Sequence, residues 1–324
     1  MQRIPEGRGG GGGRGRRQPV LLQHGVLVDG MTWLLNSPEE SLGFILAGRG
    51  FDVWIANSRG TRWSWGHVSL DSSDSAYWQW SWDELVAYDL PAIFDFVYQQ
   101  TGQKLDYVGR SMRTLIALAY VFEGRLIDKL RSAASLSPVA YLTHMTTPIG
   151  ILAAKAFIGE ITTGLGIAEF NPKGMPVTNF LKTLCKNPGI GCYDLMTSFI
   201  GKNYCLNEST VEVFLKYEPQ STSTRNMVHL AQTFRDGSVS KYDYERKYMN
   251  MRYYGQTKAP VYKMSSIHVD VPMLLSYGGR DDSGDVELLL DSLKFHSPLR
   301  PRRLHHRRLR QGFRLRCYHP ILQH

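Results

Sequence analysis

A mostly parallel β-sheet with helices on both faces, carrying an inserted and largely helical cap, is the α/β fold class this sequence predicts. Three observations predict it. Short apolar runs at 19–23, 51–56, 104–108, 133–138 and 271–277 have the length and the β-branched and aromatic content of buried parallel strands. Helical patterns alternate with the first four of these runs, the rhythm of consecutive β-α-β units. The alternation breaks from about Thr143 to Ile267 and resumes at Val271, so the intervening segment reads as an insertion into one sheet.

The elements follow in order. Residues 1–17 form a Gly/Arg-rich lead-in, too flexible to pack and without the apolar stretch of a signal peptide. The run Pro19-Val20-Leu21-Leu22-Gln23 is the first buried strand and ends at His24-Gly25. Ser37 with Pro38 reads as the N-cap and first position of a helix reaching Ala47. Phe51–Ala56 is the next strand, and 58–80 a Trp/Ser-rich loop. From Ser81 a helix runs to about Gln100, with Trp82, Leu85, Val86, Leu90, Phe94 and Val97 on one stripe and a kink expected at Pro91. Residues 104–108 form a strand that turns at Gly109-Arg110-Ser111 straight into another helix. A strand at 133–138 follows. After the insertion, the strand 271–277 leads to Gly278-Gly279-Arg280-Asp281 and a helix over 285–294. The organisation expected is therefore a lead-in (1–17), a first core part (18–142), a cap (143–267), a second core part (268–296) and a basic, disordered tail (297–324).

Composition narrows the function. A chain of 324 residues that is 43% hydrophobic can bury one large core, or a core and a smaller module. No run of eighteen apolar residues exists, so no membrane-spanning helix is expected. The net charge of +9 is concentrated at the two ends, in the arginines between Arg3 and Arg17 and between Arg300 and Arg316. Acidic and basic residues mix in between, and the tail lacks interleaved aromatic residues, so a nucleic-acid partner is not expected. Cys185, Cys192 and Cys205 cluster, as a disulfide or as small buried thiols; without a C-x-x-C pair or a histidine among them they do not read as a metal site.

The chemistry concentrates at Gly109-Arg110-Ser111. A tight strand-to-helix turn ending in Gly-x-Ser is the layout of a nucleophile elbow, which projects a serine Oγ clear of the sheet edge. A serine hydroxyl needs a base, usually histidine, held by a carboxylate. In the order Ser, acid, His, the acid follows a late strand. Asp281 fits that order directly after 271–277, with Asp282 and Asp285 acceptable by position. The crossover rule puts the strand C-termini, and so the site, on one edge of the sheet.

Several phrases also resemble the acid lipase family of α/β-hydrolases, the gastric and lysosomal lipases and especially their plant triacylglycerol-lipase relatives. They are QPVLLQHGVLVDGMTWLLNSPE (18–39), FDVWIANSRGTRWSWGHVSLD (51–71), YWQWSWDELVAYDLPAIFDFV (77–97), KLDYVGRSM (104–112), AEFNPKG (168–174), STSTRNMVHLAQTFRDG (221–237) and PMLLSYGGRD (272–281). The resemblance implies an α/β-hydrolase fold and a serine carboxylester hydrolase acting on triacylglycerols or related lipid esters at a lipid–water interface, with no cofactor. It assigns Ser111 as nucleophile, Asp281 as acid, and the backbone N–H groups of Val26 and Met112 as the oxyanion hole. It makes 143–267 the cap and lid, within which Cys185 and Cys192 are close enough to staple a loop. His24 is not expected to be the base. The family setting is secreted, or vacuolar and lysosomal, where the sequon Asn207-Glu208-Ser209 could be used.

Three departures from the family pattern stand out. Arg113 occupies the place of the second elbow glycine, where its stem is expected to crowd the neighbouring strand or shift the helix. The catalytic histidine belongs about thirty residues past the acid, but after His296 the chain becomes an arginine-rich tail in which His305, His306, His319 and His324 have no predictive context, as a shifted reading frame would produce. Met1 falls within a strand of the family's domain. These departures leave a second expectation beside the hydrolase: a catalytically inactive, lipase-like chain or truncated gene product that at most binds lipid.

Overall fold

A computed structural model describes residues 1–7, 15–124, 128–139, 158–174, 213–214, 216–262 and 271–277, and the backbone of 305–308. Its sheet has seven strands: β1 (Gln2–Ile4), β2 (Pro19–Gln23), β3 (Asp52–Ala56), β4 (Leu105–Ser111), β5 (Leu130–Pro138), β8 (Met273–Tyr277) and β9 (His305–Arg308), in the order β1-β3-β2-β4-β5-β8-β9. All neighbours are parallel except β1, which runs antiparallel to β3.

The helices that cover this sheet are α1 (Leu42–Gly48), α2 (Trp82–Glu84), α3 (Leu90–Thr101) and α4 (Met112–Phe122). Alternation along β2 and β3 shows why both faces need covering. Leu21, Trp54 and Ala56 point into a cluster built on α2, α3 and α4, with Leu85, Phe94, Leu115 and Ile116. Val20, Leu22, Val53 and Ile55 point the opposite way, against Trp33, Ala47 and the α1 residues Leu42 and Leu46. The mostly parallel, doubly covered sheet expected from the sequence is thus the observed one.

Local differences have physical causes. The helix expected from Pro38 begins at Leu42, because the Ser41 hydroxyl donates to Asn36 O at 2.8 Å and its backbone is extended (φ −85°, ψ 119°). Ser81 does cap α2, in a reciprocal box with Glu84. Pro91 sits in the first turn of α3, and the disruption expected there is taken up one turn earlier by a π-turn, Leu85–Asp89. Strand β5 starts at Leu130, earlier than expected, since Arg131 and Ser132 both bind the buried Asp106 of β4.

Two expectations about the ends change. The lead-in opens with β1, as the family resemblance implied, and Arg3 Nε donates to Asp52 Oδ1 at 2.8 Å. In the tail expected to be disordered, His305–Arg308 lies beside β8 as an edge strand. Of the segment expected to form the cap (143–267), the described elements are α5 (Ile158–Gly164), the β6 (Glu169–Phe170) and β7 (Thr222–Ser223) pair, α6 (Thr224–Asp236) and α7 (Lys247–Tyr254). The clustered cysteines, Asn207 and the helix expected at 285–294 lie outside the described residues. No described helix is long and apolar enough to cross a membrane.

Candidate active site

Strand β4 passes into α4 without a linking residue, and Ser111 makes the turn at φ 53°, ψ −128°. Positive φ in a residue with a Cβ is strained by about 1–3 kcal/mol and persists only where the surroundings enforce it. Here they do so from both sides. Thr114 Oγ1 donates to Ser111 O at 2.7 Å and accepts from Val139 N, just past β5, at 2.8 Å. The Tyr107 hydroxyl lies 2.8 Å from Gln23 Oε1 and 3.1 Å from Arg113 O. The sharp bend anticipated at Gly109-Arg110-Ser111 is therefore present, with its strain on the serine. Met112 opens α4, at the end where backbone N–H groups and the helix dipole favour a negative charge.

The turn after β2 faces this elbow. A Cβ placed on Gly25 would lie 3.2 Å from Ser111 Cβ and 3.6 Å from its Oγ, a tight contact, so glycine lets the His24-Gly25-Val26 backbone pack closely on the serine. Gly25, Val26, Ser58, Arg59, Met112 and Arg113 line a small cavity between the turn after β2 and the first turn of α4. The two sequence-nominated backbone donors, Val26 and Met112, both line that cavity.

His24 is fully buried and occupied. Its Nδ1 lies 2.8 Å from Gly25 O, and its Nε2 accepts from Ser58 N at 3.0 Å. Nε2 therefore carries a lone pair, and Nδ1 carries the proton. Burial, assisted by the nearby Arg113 cation, pulls its pKa down to about 3. Both nitrogens being engaged, His24 is no base for Ser111, as the sequence reading held.

Arg113, expected to crowd the neighbouring strand or shift the helix, turns its guanidinium toward the loop after β3. Its side chain is only 2% exposed and its guanidinium donates to Ser58 Oγ, while Arg59 pairs with Asp89 at the end of the π-turn. Burial pulls the Arg113 pKa down, countered by Tyr107 and Asp89.

A strap from the cap crosses the turn after β2, and nothing in the sequence pattern pointed to it. Gln220 N donates to Leu27 O at 2.8 Å, and Glu218 Oε1 accepts from Asp29 N at 2.9 Å. Asp29 in turn takes Arg62 Nε at 2.9 Å and Trp63 Nε1 at 3.0 Å. Burial, then the neighbouring Asp29 carboxylate, pushes Glu218 up to about 8. Farther off, burial pushes Asp83 up to about 7 and His229 down to about 3.

These four groups predict an acid-side stability plateau. Below 6.5 the unfolded chain protonates the two histidines and the folded chain does not, so stability falls as pH drops from about 6.5 to 3. Folded Glu218 and Asp83 keep protons that the unfolded chain loses from 4.5 and 3.8, so stability falls as pH rises toward 8 and 7. Between 4.5 and 6.5 two protons gained offset two lost; outside it each unbalanced proton costs about 1.4 kcal/mol per pH unit. A thermal midpoint that is highest between 4.5 and 6.5 and drops toward 8, less so in Glu218→Gln, is expected; a midpoint rising from 6.5 to 8 would contradict it.

The remaining nominated residues are only partly placed. Strand β8 ends at the same edge of the sheet as Ser111, being parallel to β5, which is parallel to β4. Asp281, Asp282 and Asp285 lie outside the described residues, as do His319 and His324. His305 and His306 stand in β9 opposite Leu274 and Leu275, three strands from β4 and so about 14 Å away at the usual strand spacing. Among the described residues no cluster of His, Cys, Asp and Glu is arranged to hold a metal ion.

Comparisons with known proteins add a separate line. No protein-family model matches the chain. It is 56% identical to Triacylglycerol lipase 2 of Arabidopsis thaliana over 301 residues, covering 91% of this chain and 72% of that protein. It is 40% identical over 268 residues to Triacylglycerol lipase 1 of the same plant, covering 83% and 68%. Human Gastric triacylglycerol lipase is 33% identical over 306 residues, covering 90% and 75%. Among solved structures, a soluble variant of monoglyceride lipase from Saccharomyces cerevisiae, crystallised with a substrate analog, superposes with a TM-score of 0.49 at 14% identity, over 91% of this chain and 78% of that one.

Proposed function

Because this chain belongs to the acid lipase family of α/β-hydrolases, we propose that it hydrolyses triacylglycerols or related lipid esters through a serine acyl-enzyme. The observation that carries the reading is the strained turn of Ser111 packed closely against Gly25, where a Cβ would lie 3.2 Å from the serine Cβ. In this mechanism Ser111 Oγ attacks the acyl carbonyl and its proton passes to a base. The carbonyl oxygen becomes an oxyanion held by the N–H groups of Val26 and Met112, each such donor being worth about two to three orders of magnitude in rate. Collapse expels the alcohol, and water then releases the fatty acid. Asp281, four residues past the end of β8, is proposed as the acid. The secreted or vacuolar–lysosomal setting expected from the family is proposed with it.

A second reading is favoured by one observation: His24, the histidine that adjoins the Gly25 turn beside Ser111, is engaged at both ring nitrogens. On that reading the chain is catalytically silent and at most binds lipid. A fluorophosphonate probe decides between them, because it reacts with a serine only where a base and an oxyanion hole activate it. An adduct on the peptide carrying Ser111, together with turnover of p-nitrophenyl butyrate, is the result expected. Intact folded protein showing neither would establish the silent reading.

A further inference from the structure

Arg113 is a cation buried at the one elbow position where bulk was expected to do harm, and the mechanism above gives it no task. Its guanidinium donates to Ser58 Oγ, and Ser58 Oγ in turn lies 3.1 Å from His24 Nε2. The Ser58 backbone N–H donates to the same Nε2 at 3.0 Å. With Nε2 saturated, the ring proton resides on Nδ1 and is directed to Gly25 O at 2.8 Å. Gly25 is the residue against which Ser111 packs. An unbroken series of contacts therefore runs from the first turn of α4, through the loop after β3, to the backbone beside the nucleophile.

We propose that Arg113 is a positioning residue for the oxyanion-binding turn, acting through Ser58 and His24 to hold Gly25 and Val26 against Ser111. This rests on the hydrolase reading of Ser111. The arginine polarises and orients the Ser58 hydroxyl so that its proton faces Nε2, and a hydroxyl so fixed keeps the imidazole neutral and in one tautomer. Around His24 the charged groups are Arg113 from α4, which disfavours its protonation, and Asp29 from the loop after β2, which favours it. Around Arg113 they are Tyr107 of β4, Asp89 of the π-turn and Arg59. The arginine in place of the second elbow glycine thus supplies a cross-brace for the other half of the site. Displacements of about 1 Å near a reacting atom cost up to a hundredfold in rate, so a loosened turn should cost kcat more than KM.

The test compares Arg113→Met, Arg113→Lys and Ser58→Ala with the unaltered full chain, by p-nitrophenyl butyrate kinetics and by ¹⁵N NMR titration of His24. Arg113→Met is expected to lower kcat roughly tenfold with KM within twofold, and to raise the pH at which His24 titrates. Arg113→Lys restores most of the rate by returning the cation. Ser58→Ala, which leaves the buried charge in place, reproduces the kcat loss should Arg113→Met fail to fold. Unchanged kcat and unchanged His24 titration overturn the proposal, as does a lysine variant no better than methionine. If the unaltered chain shows no Ser111-dependent turnover, the hydrolase reading fails by itself. The His24 titration then still decides whether Arg113 governs this imidazole.

Discussion

Ser111→Ala is expected to lower kcat/KM on a short-chain ester by about a thousandfold or more while leaving the unfolding midpoint nearly unchanged. The two halves of that expectation have different physical causes. The rate loss follows because no other group at the elbow can form the acyl-enzyme, so what remains is the contribution of binding and oxyanion donors alone. The unaltered stability follows because the strain at φ 53° belongs to the backbone and is present with either side chain, and because Ser111 is only partly buried, so no cavity opens. A steady-state assay of both proteins, with a urea melt of each, checks it. Equal rates in the two would end the enzymatic reading. A large fall in midpoint would mean that the hydroxyl is structural.

Trp82→Ala is expected to destabilise the protein by about 3–5 kcal/mol, the largest single effect on folding anticipated here. The indole is 0% exposed, stacks on His229 of α6 with centroids 4.2 Å apart and planes 12° apart, and lies 5.4 Å from the Tyr262 ring. Removing it empties a space bounded by core and cap together, which neither side can collapse to fill. Trp82→Phe should recover much of the loss, since the indole Nε1 has no hydrogen-bond partner among the described residues to forfeit. Urea unfolding at pH 6 reads both variants; a cost below about 1 kcal/mol for the alanine form would show that cap and core are independent.

How much of this could be read from the chain itself depended on distance along it. The sheet and the elbow were legible because their signals are local: apolar runs for β2 to β5, and Gly109-Arg110-Ser111 between a strand and a helix. Boundaries failed where one hydrogen bond outvoted a propensity, as when Ser41 spent its hydroxyl on Asn36 and delayed α1 past Pro38. The Glu218–Asp29 contact joins residues 189 apart, and Arg113 to Ser58 spans 55, so no periodicity could reveal either. Arg113 was read from the glycine it replaces, as bulk, when its guanidinium had a polar destination across the sheet.

The contacts of α6 bear on how an acyl chain could reach the serine. Ser223 Oγ, at its cap, donates to Trp78 O at 2.6 Å; Asn226, a turn later, lies 3.6 Å from Met112 Sδ; His229 completes the row on Trp82. Swinging this helix outward would strip an indole, wet a buried imidazole and uncouple the residue that opens α4, all in one motion. Such a movement would consume much of the few kcal/mol by which a domain holds together. If the chain hydrolyses lipid esters as proposed, α6 is therefore expected to stay in place while a substrate reaches Ser111.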